Sequence, residues 1–144
     1  MYLDTTLKVK KLYDDAIVPK RQTDGSAGYD IASYEDYEIL PNEWKLVDTG
    51  ISFTVPNGTY GQLAPRSGFS CKGTMVGAGV IDKDYTGHVK VLIFNMSKND
   101  SVHIKKGDRV AQLLLKYISC CDVVEVDSLE ETERSDGGFG STGQ

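Results

Sequence analysis

The chain has 144 residues, of which 40% are hydrophobic, and carries a formal net charge of -5. That length suits one ordinary domain with a real core, and the hydrophobic share argues against disorder. The negative balance leaves no basic stripe for coating nucleic acid, and no apolar run approaches the ~20 residues of a membrane span.

The opening Met1-Tyr2-Leu3-Asp4 has no basic segment followed by an apolar one. A cleaved secretory signal is therefore not expected, and the protein is expected to be soluble and intracellular, in cytoplasm or nucleus. Further along, Ile51, Phe53 and Val55 alternate with Ser52 and Thr54. This predicts a half-buried strand ending at the turn Pro56-Asn57-Gly58, with residues 60–64 resuming as its partner. A short helix is allowed only after Pro65-Arg66-Ser67-Gly68. Further strands are expected at 88–95, 101–104, 110–117 and 122–126. Short strands at this spacing, without a helical period, indicate an all-β antiparallel sandwich or barrel.

Residues 79–87 (Gly-Val-Ile-Asp-Lys-Asp-Tyr-Thr-Gly) carry the most chemical information. Apolar residues run up to Asp82, and Val89, Val91, Leu92, Ile93 and Phe94 follow Gly87, as for two extended segments joined by a tight charged turn. Asp82 then sits where buried strand meets open loop, with Tyr85 on the same hairpin. A carboxylate there can accept a proton, and a tyrosine offers a flat face and a hydroxyl. Ordinary turn residues would give the same local pattern.

Cys71, Cys120 and Cys121 are odd in number and two are adjacent, which argues against a disulfide framework. They read as reduced packing residues in a reducing compartment. His88 and His103 add no spacing suited to zinc. Asn57, Asn95 and Asn99 each begin an Asn-x-Ser/Thr triplet, a chance match in a chain without a secretory signal.

Of the four arginines, Arg66, Arg109 and Arg134 lie beside glycine-rich segments. The guanidinium fork suits phosphate oxygens, although surface solvation and ordinary ion pairing account for most arginines. For Arg109 both readings stand, since the neighbouring Asp108 offers a structural partner. Composition changes near Ser128: charge dominates 129–134, and the chain closes in a glycine-rich tail containing Phe139. That tail has too little apolar surface to pack alone and is expected to be mobile without a ligand. Two parts follow, a β-barrel body at 1–128 and an arm at 129–144. The tail lacks the Gly-Lys-Ser/Thr of a Walker loop.

Five segments, in order, resemble the homotrimeric dUTPase family: Ala27-Gly28-Tyr29-Asp30-Ile31, Pro65-Arg66-Ser67-Gly68, the 79–87 hairpin, Gly107-Asp108-Arg109-Val110-Ala111-Gln112-Leu113, and the arm from Arg134 to Gly143. Departures are small: Ile31 stands where leucine is usual, and Phe69-Ser70-Cys71 where Leu-Ala is common. The resemblance implies a jelly-roll-like antiparallel β-sandwich or barrel, assembled as a homotrimer whose sites are shared between subunits. It also implies hydrolysis of dUTP to dUMP and pyrophosphate, which limits uracil incorporation into DNA and supplies dUMP for dTMP synthesis.

In that scheme Asp82 orients and deprotonates the water that attacks the α-phosphorus. Magnesium is held mainly by the substrate phosphates and water, with Asp30 bonding to its water shell; Asp30 could equally brace its own loop. Arg66, Ser67 and Gly68 contact the α- and β-phosphates, with Gln112 nearby. Backbone groups of Gly79, Val80 and Ile81 read the uracil edge, and Tyr85 packs on the deoxyribose and excludes a 2′-hydroxyl. From the arm, Arg134 reaches the γ-phosphate, Phe139 stacks on uracil, and Gly140, Ser141 and Thr142 wrap the phosphates. Three alternatives stay open: a bifunctional dCTP deaminase and dUTPase, a nucleotide-binding regulatory protein on the same scaffold, and a plain structural β-sandwich. No nucleic-acid or membrane partner is expected.

Overall fold

The computed structural model describes residues 4–140. Among them lie eleven strands and one helical turn: β1 (Lys8–Lys11), β2 (Tyr29–Ala32), β3 (Tyr37–Ile39), β4 (Trp44–Asp48), β5 (Ile51–Thr54), β6 (Thr59–Ala64), α1 (Ser67–Ser70), β7 (Thr74–Gly77), β8 (Val80–Ile81), β9 (Lys90–Asn95), β10 (Val102–Ile104) and β11 (Arg109–Tyr117). All pairings between them are antiparallel. The expected all-β class is the observed one.

Alternation decides what goes inside. In β9, Val91, Ile93 and Asn95 are buried while Lys90, Leu92 and Phe94 face outward. In β6, Thr59, Gly61 and Leu63 turn inward. These faces meet in one core with Ile31, Ile39, Val47, Ile51 and Leu113, each no more than 3% exposed. Burying a side chain of this size contributes about 1.5–3 kcal/mol, so the shared core holds the small sheets together. Asn95 is the most deeply buried of the polar residues there, and its amide donates to the carbonyls of Ile39 (2.9 Å) and Asp100 (2.8 Å). It is fully enclosed, so its Asn-Met-Ser triplet is a structural pin.

Four strands form the sheet β2-β11-β6-β8, and three form β4-β9-β7. Along β11 both Val110 and Ala111 are buried, which breaks the two-residue period. A bulge between Arg109 and Ala111 against β2 absorbs the extra residue, and Gln112 then lands opposite Asp30. The same Gln112 is opposite Ala64 of β6, two residues before Arg66. One row across three strands therefore collects segments far apart in sequence.

The pairings differ from the sequence reading in three places. First, β5 pairs with β1, and β6 pairs with β11 and β8, so 51–55 and 60–64 are not partners. The turn between them closes, with Thr59 N–H donating to the Pro56 carbonyl at 3.2 Å, but its flanking strands diverge into different sheets. Second, the segments flanking 82–87 do not pair with each other: β8 joins β6, whereas β9 joins β4 and β7. The chain changes sheet at Ala78 and Gly79, whose φ values are 49° and 96°. Consecutive left-handed residues turn the backbone out of the β7 direction. Third, 122–126 is not a strand, and Val123 is 98% exposed. A strand needs a hydrogen-bonding neighbour, and β11 is the last element to have one.

The predicted strands at 88–95, 101–104 and 110–117 correspond to β9, β10 and β11, and α1 is the single turn allowed after Arg66. The cysteines are free, as expected, but all three are exposed and so are not packing residues.

Candidate functional site

A polar cleft forms at the row just described. Gln22, Ser26, Gly28, Asp30, Arg66, Ser67 and Gln112 line a cavity of ≈ 220 Å³. Asp30 Oδ1 lies 3.0 Å from Arg66 Nε, and Asp30 Oδ2 lies 3.6 Å from Arg109 Nη1. Gln22 Nε2 also donates to Asp30 Oδ2, at 2.8 Å. The Asp30 side chain is only 12% exposed, so three donors compensate a carboxylate largely withdrawn from water. Two guanidiniums against one carboxylate leave the cleft with a surplus positive charge, as a phosphate ligand requires.

Two further contacts shape this cleft. Arg66 Nη1 donates to the Arg109 carbonyl (3.0 Å), and Gln112 Nε2 donates to the Pro65 carbonyl (2.9 Å). Arg66 is also the N-cap of α1 and makes no side-chain cap there, because a guanidinium has no acceptor for the free N–H groups. Gln112 thus holds the backbone that presents Arg66 and Ser67. Asp108 is not the partner of Arg109: its Oδ2 accepts the Lys105 N–H at 2.9 Å and closes the preceding turn.

A second, larger cavity of ≈ 530 Å³ is lined by Leu63, Ala78, Gly79, Val80, Ile81, Asp82, Tyr85, His88, Val89 and Lys90. Its rim is β8, the edge strand of the four-stranded sheet. One edge of β8 pairs with β6, and the Gly79 carbonyl accepts the Leu63 N–H at 2.8 Å. The other edge keeps backbone donors and acceptors unpaired within the sheet, a row able to read a flat polar ring. Any side chain at Gly79 would put its Cβ 2.7 Å from the Leu63 oxygen, so the close approach of these two backbones requires glycine. Asp82 follows directly on β8; Ile81 is buried and Asp82 exposed, the junction its sequence implied. The Tyr85 N–H donates to the Asp82 carbonyl at 3.1 Å, and the Tyr85 hydroxyl donates to the His88 carbonyl at 2.7 Å.

The two cavities share no lining residue. Within one chain Asp30, Arg66, Ser67 and Gln112 come together, with Gly68 next to them on α1. Gly79, Val80, Ile81, Asp82 and Tyr85 come together elsewhere. Among the described residues the arm joins neither cluster: Arg134 Nε donates to the Gly137 carbonyl of its own turn (2.6 Å), and Phe139 and Gly140 are exposed. Ser141 and Thr142 lie outside the described residues. Sequence reasoning passed over Gln22 and His88 and left Arg109 undecided. No local signal marked Arg109: three residues before Gln112 it would take the opposite face of a regular strand, and the bulge between Arg109 and Ala111 intervenes.

No group of three or more His, Cys, Asp or Glu among the described residues could hold a metal ion. A magnesium carried by a triphosphate needs few protein ligands and keeps its waters. Asp30 Oδ1 retains a lone pair beyond Arg66, whereas Oδ2 already faces Gln22 and Arg109, so the donor set fits a water-mediated contact and not a dedicated cage.

Fold and clefts together define an all-β protein built to hold a phosphorylated ligand with a planar polar group. The family model described as dUTPase matches residues 14–143. The deoxyuridine 5′-triphosphate nucleotidohydrolase of Paramecium bursaria Chlorella virus 1 is 52% identical over 140 residues, covering 96% of this chain and 99% of the relative. The Saccharomyces cerevisiae enzyme of that name is 53% identical over 142 residues, covering 97% and 96%. Among solved structures, the Staphylococcus bacteriophage 80alpha dUTPase with dUPNHPP superposes with a TM-score of 0.90 at 32% identity, over 97% of this chain and 99% of that one. The chain belongs to the dUTPase family.

Proposed function

We propose that the protein is a dUTP diphosphatase that cleaves dUTP to dUMP and pyrophosphate, so limiting uracil in DNA and supplying dUMP. The observation that carries this reading is Asp82 on the rim of a cavity that also holds Tyr85 and the open edge of β8. Water held by the Asp82 carboxylate attacks the α-phosphorus while its proton passes to that carboxylate. The bond to the α–β bridging oxygen breaks, and pyrophosphate leaves. Carboxylates are weak bases, so positioning and charge neutralisation supply most of the acceleration.

Substrate recognition divides between the two cavities. Gly79, Val80 and Ile81 pair with the uracil edge; cytosine presents the opposite pattern at position 4 and would leave these groups unpaired. Tyr85 lies against the deoxyribose. Arg66, Ser67 and Gly68 bind the α- and β-phosphates, with Gln112 and Arg109 holding Arg66 and its loop in place. When bound, magnesium neutralises the phosphate oxygens, and Asp30 would reach its water shell.

A complete site then needs more than one subunit, and three features support a homotrimer with shared sites. The base-side and phosphate-side cavities share no lining residue. On the outer face of β4-β9-β7, Trp44, Phe94 and Met75 form one cross-strand row, and Leu46 lies opposite Leu92 in the next. Trp44, Leu46 and Met75 are each more than half exposed, an apolar face of the kind that marks an interface. Beyond β11 the described residues run on without a paired strand, as an arm that crosses to a neighbour would. We divide the chain into a body at 1–128 and an arm at 129–144, in which Arg134 meets the γ-phosphate, Phe139 stacks on uracil, and Gly140, Ser141 and Thr142 enclose the phosphates.

No helix among the described residues is long and apolar enough to cross a membrane. Three free exposed thiols suit a reducing interior, and we place the protein there. The deciding assay compares dUTP, dTTP, dCTP and UTP with magnesium. Only dUTP is rapidly consumed, without ammonia release from dCTP, and oxygen-18 from water enters dUMP. Label in pyrophosphate would overturn the mechanism.

A further inference from the structure

The base-side cavity contains a group that the reading above leaves unused. His88 lines it, and the His88 ring nitrogen Nε2 contacts Asp48 Oδ1 at the end of β4. Both side chains are largely enclosed, at 27% and 15% exposure. Asp48 is itself firmly mounted. Its Oδ1 accepts the Gly50 N–H (2.7 Å), its own N–H donates to the Tyr37 hydroxyl (2.9 Å), and its carbonyl accepts the Tyr34 N–H (2.7 Å). The next residue continues the clamp: Val89 N–H donates to the Ile51 carbonyl (2.9 Å), and the Thr49 hydroxyl donates to the Val89 carbonyl (2.6 Å).

The carbonyl of His88 is the anchor for the Tyr85 hydroxyl, at 2.7 Å. The ring returns across Gly87, where any Cβ would lie 2.8 Å from the hydroxyl oxygen and 2.9 Å from Cζ. Tyr85 is 45% exposed, so core packing does not fix its rotamer; this local tether does. A continuous connection therefore runs from Asp48 through His88 to the aromatic wall of the cavity.

We propose that His88 is a positioning residue for sugar selection. Its ring, clamped on Asp48, holds the carbonyl that fixes Tyr85, and so sets how closely the cavity wall approaches the 2′ carbon of the ribose. This rests on the reading of Tyr85 as the wall against the deoxyribose. Loosening the clamp widens the space at that position, so UTP gains relative to dUTP while the chemical step on dUTP stays nearly as fast.

The experiment measures kcat and KM for dUTP and UTP in the full-length protein and in Asp48→Ala, Asp48→Asn, His88→Ala, Tyr85→Phe and the double variant Asp48→Ala/Tyr85→Phe. Asp48→Ala is expected to lower the dUTP/UTP ratio of kcat/KM about fivefold, the scale of one lost hydrogen bond, mainly through KM. Asp48→Asn, which keeps an acceptor for Gly50 and a partner for His88, restores most of the ratio. Tyr85→Phe gives a similar loss, and the double variant is no worse than either single one, because all act through one tether. Should Asp48→Ala fail to fold, His88→Ala, which leaves the core intact, carries the same expectation. An unchanged ratio in Tyr85→Phe, or fully additive effects, overturns the proposal. Tyr85→Ala distinguishes the underlying reading: if removing the whole ring also leaves the ratio unchanged, Tyr85 is not the sugar wall at all.

Discussion

Asp30 and Arg66 hold each other at 3.0 Å between Oδ1 and Nε, although they stand 36 positions apart in the sequence. Arg109 completes the arrangement from the far side of the same carboxylate, and its own carbonyl receives the Arg66 fork. A partly buried carboxylate between two guanidiniums keeps both oriented before a phosphate arrives. This preorganisation lowers what substrate binding must spend on ordering long side chains.

Asp30→Asn should therefore act on phosphate binding as well as on the metal's water shell. Steady-state kinetics is expected to show kcat/KM for dUTP lower by roughly 10- to 100-fold, since the amide leaves two cations imperfectly paired. Arg66→Lys, which loses the planar fork, should reproduce much of this loss. Wild-type kinetics in both variants would remove this cluster from the site.

Asp82→Asn keeps size and polarity but loses basicity. Turnover should fall by roughly 10²- to 10⁴-fold, the usual contribution of a positioned general base. Binding of a non-hydrolysable dUTP analogue, measured by calorimetry, should be retained within a few-fold of about the wild-type value. Loss of binding together with loss of turnover would give Asp82 a structural role instead.

Gly28 faces Gln112 so closely that a Cβ would lie 2.3 Å from Oε1 and 2.9 Å from Cβ of the glutamine. Gly28→Ala must push Gln112 off the Pro65 carbonyl. Chemical denaturation should show a stability lower by about 1–3 kcal/mol, together with weaker dUTP binding. Removing the obstacle in Gly28→Ala/Gln112→Ala should recover part of the stability but not the binding.

The pH dependence of stability has a traceable source on the surface away from both cavities. Hydrogen bonds from Lys106 and from the Tyr34 hydroxyl pull the Asp15 carboxyl from 3.8 down to about 2. The same bond to Asp15 pushes the Tyr34 hydroxyl from 10.0 up to about 12. A depressed carboxyl stabilises the fold above its unfolded value of 3.8, and that contribution is lost as pH falls through about 2. A raised phenol stabilises below 10.0, and its contribution is lost as pH rises through about 12. Asp15→Asn should flatten the thermal midpoint against pH in both windows, and an unchanged curve would exclude the pair as the source.

Deleting 134–144 should leave the β-sheet circular dichroism and oligomer mass unchanged. The kcat/KM for dUTP should drop by roughly 5- to 150-fold from the lost aromatic stack alone. A Phe139→Ala variant separates the stack from the Arg134 contact. Equal kinetics in truncated and intact protein would take the arm out of the mechanism.

The sequence alone proposed which residues carry chemistry and located several of the strands. The apolar runs of β9 and β11, the charged turn after Ile81, and the Arg-Ser-Gly start of α1 are local facts, written within a few residues of one another. Strand partners were another matter. The sequence suggested that 51–55 would pair with 60–64 and that the segments around 82–87 would form a hairpin, and neither pairing occurs. Two left-handed residues at 78 and 79 send β8 to β6 instead, which leaves its outer edge open beside Asp82. The bulge in β11 likewise decides that Gln112 faces Asp30 and that Arg109 serves Asp30, not Asp108. Inward and outward faces follow from a period of two along a single strand, whereas register and partner choice depend on how remote strands share one core. Only the folded chain could therefore show that the base-side and phosphate-side residues lie in separate clefts.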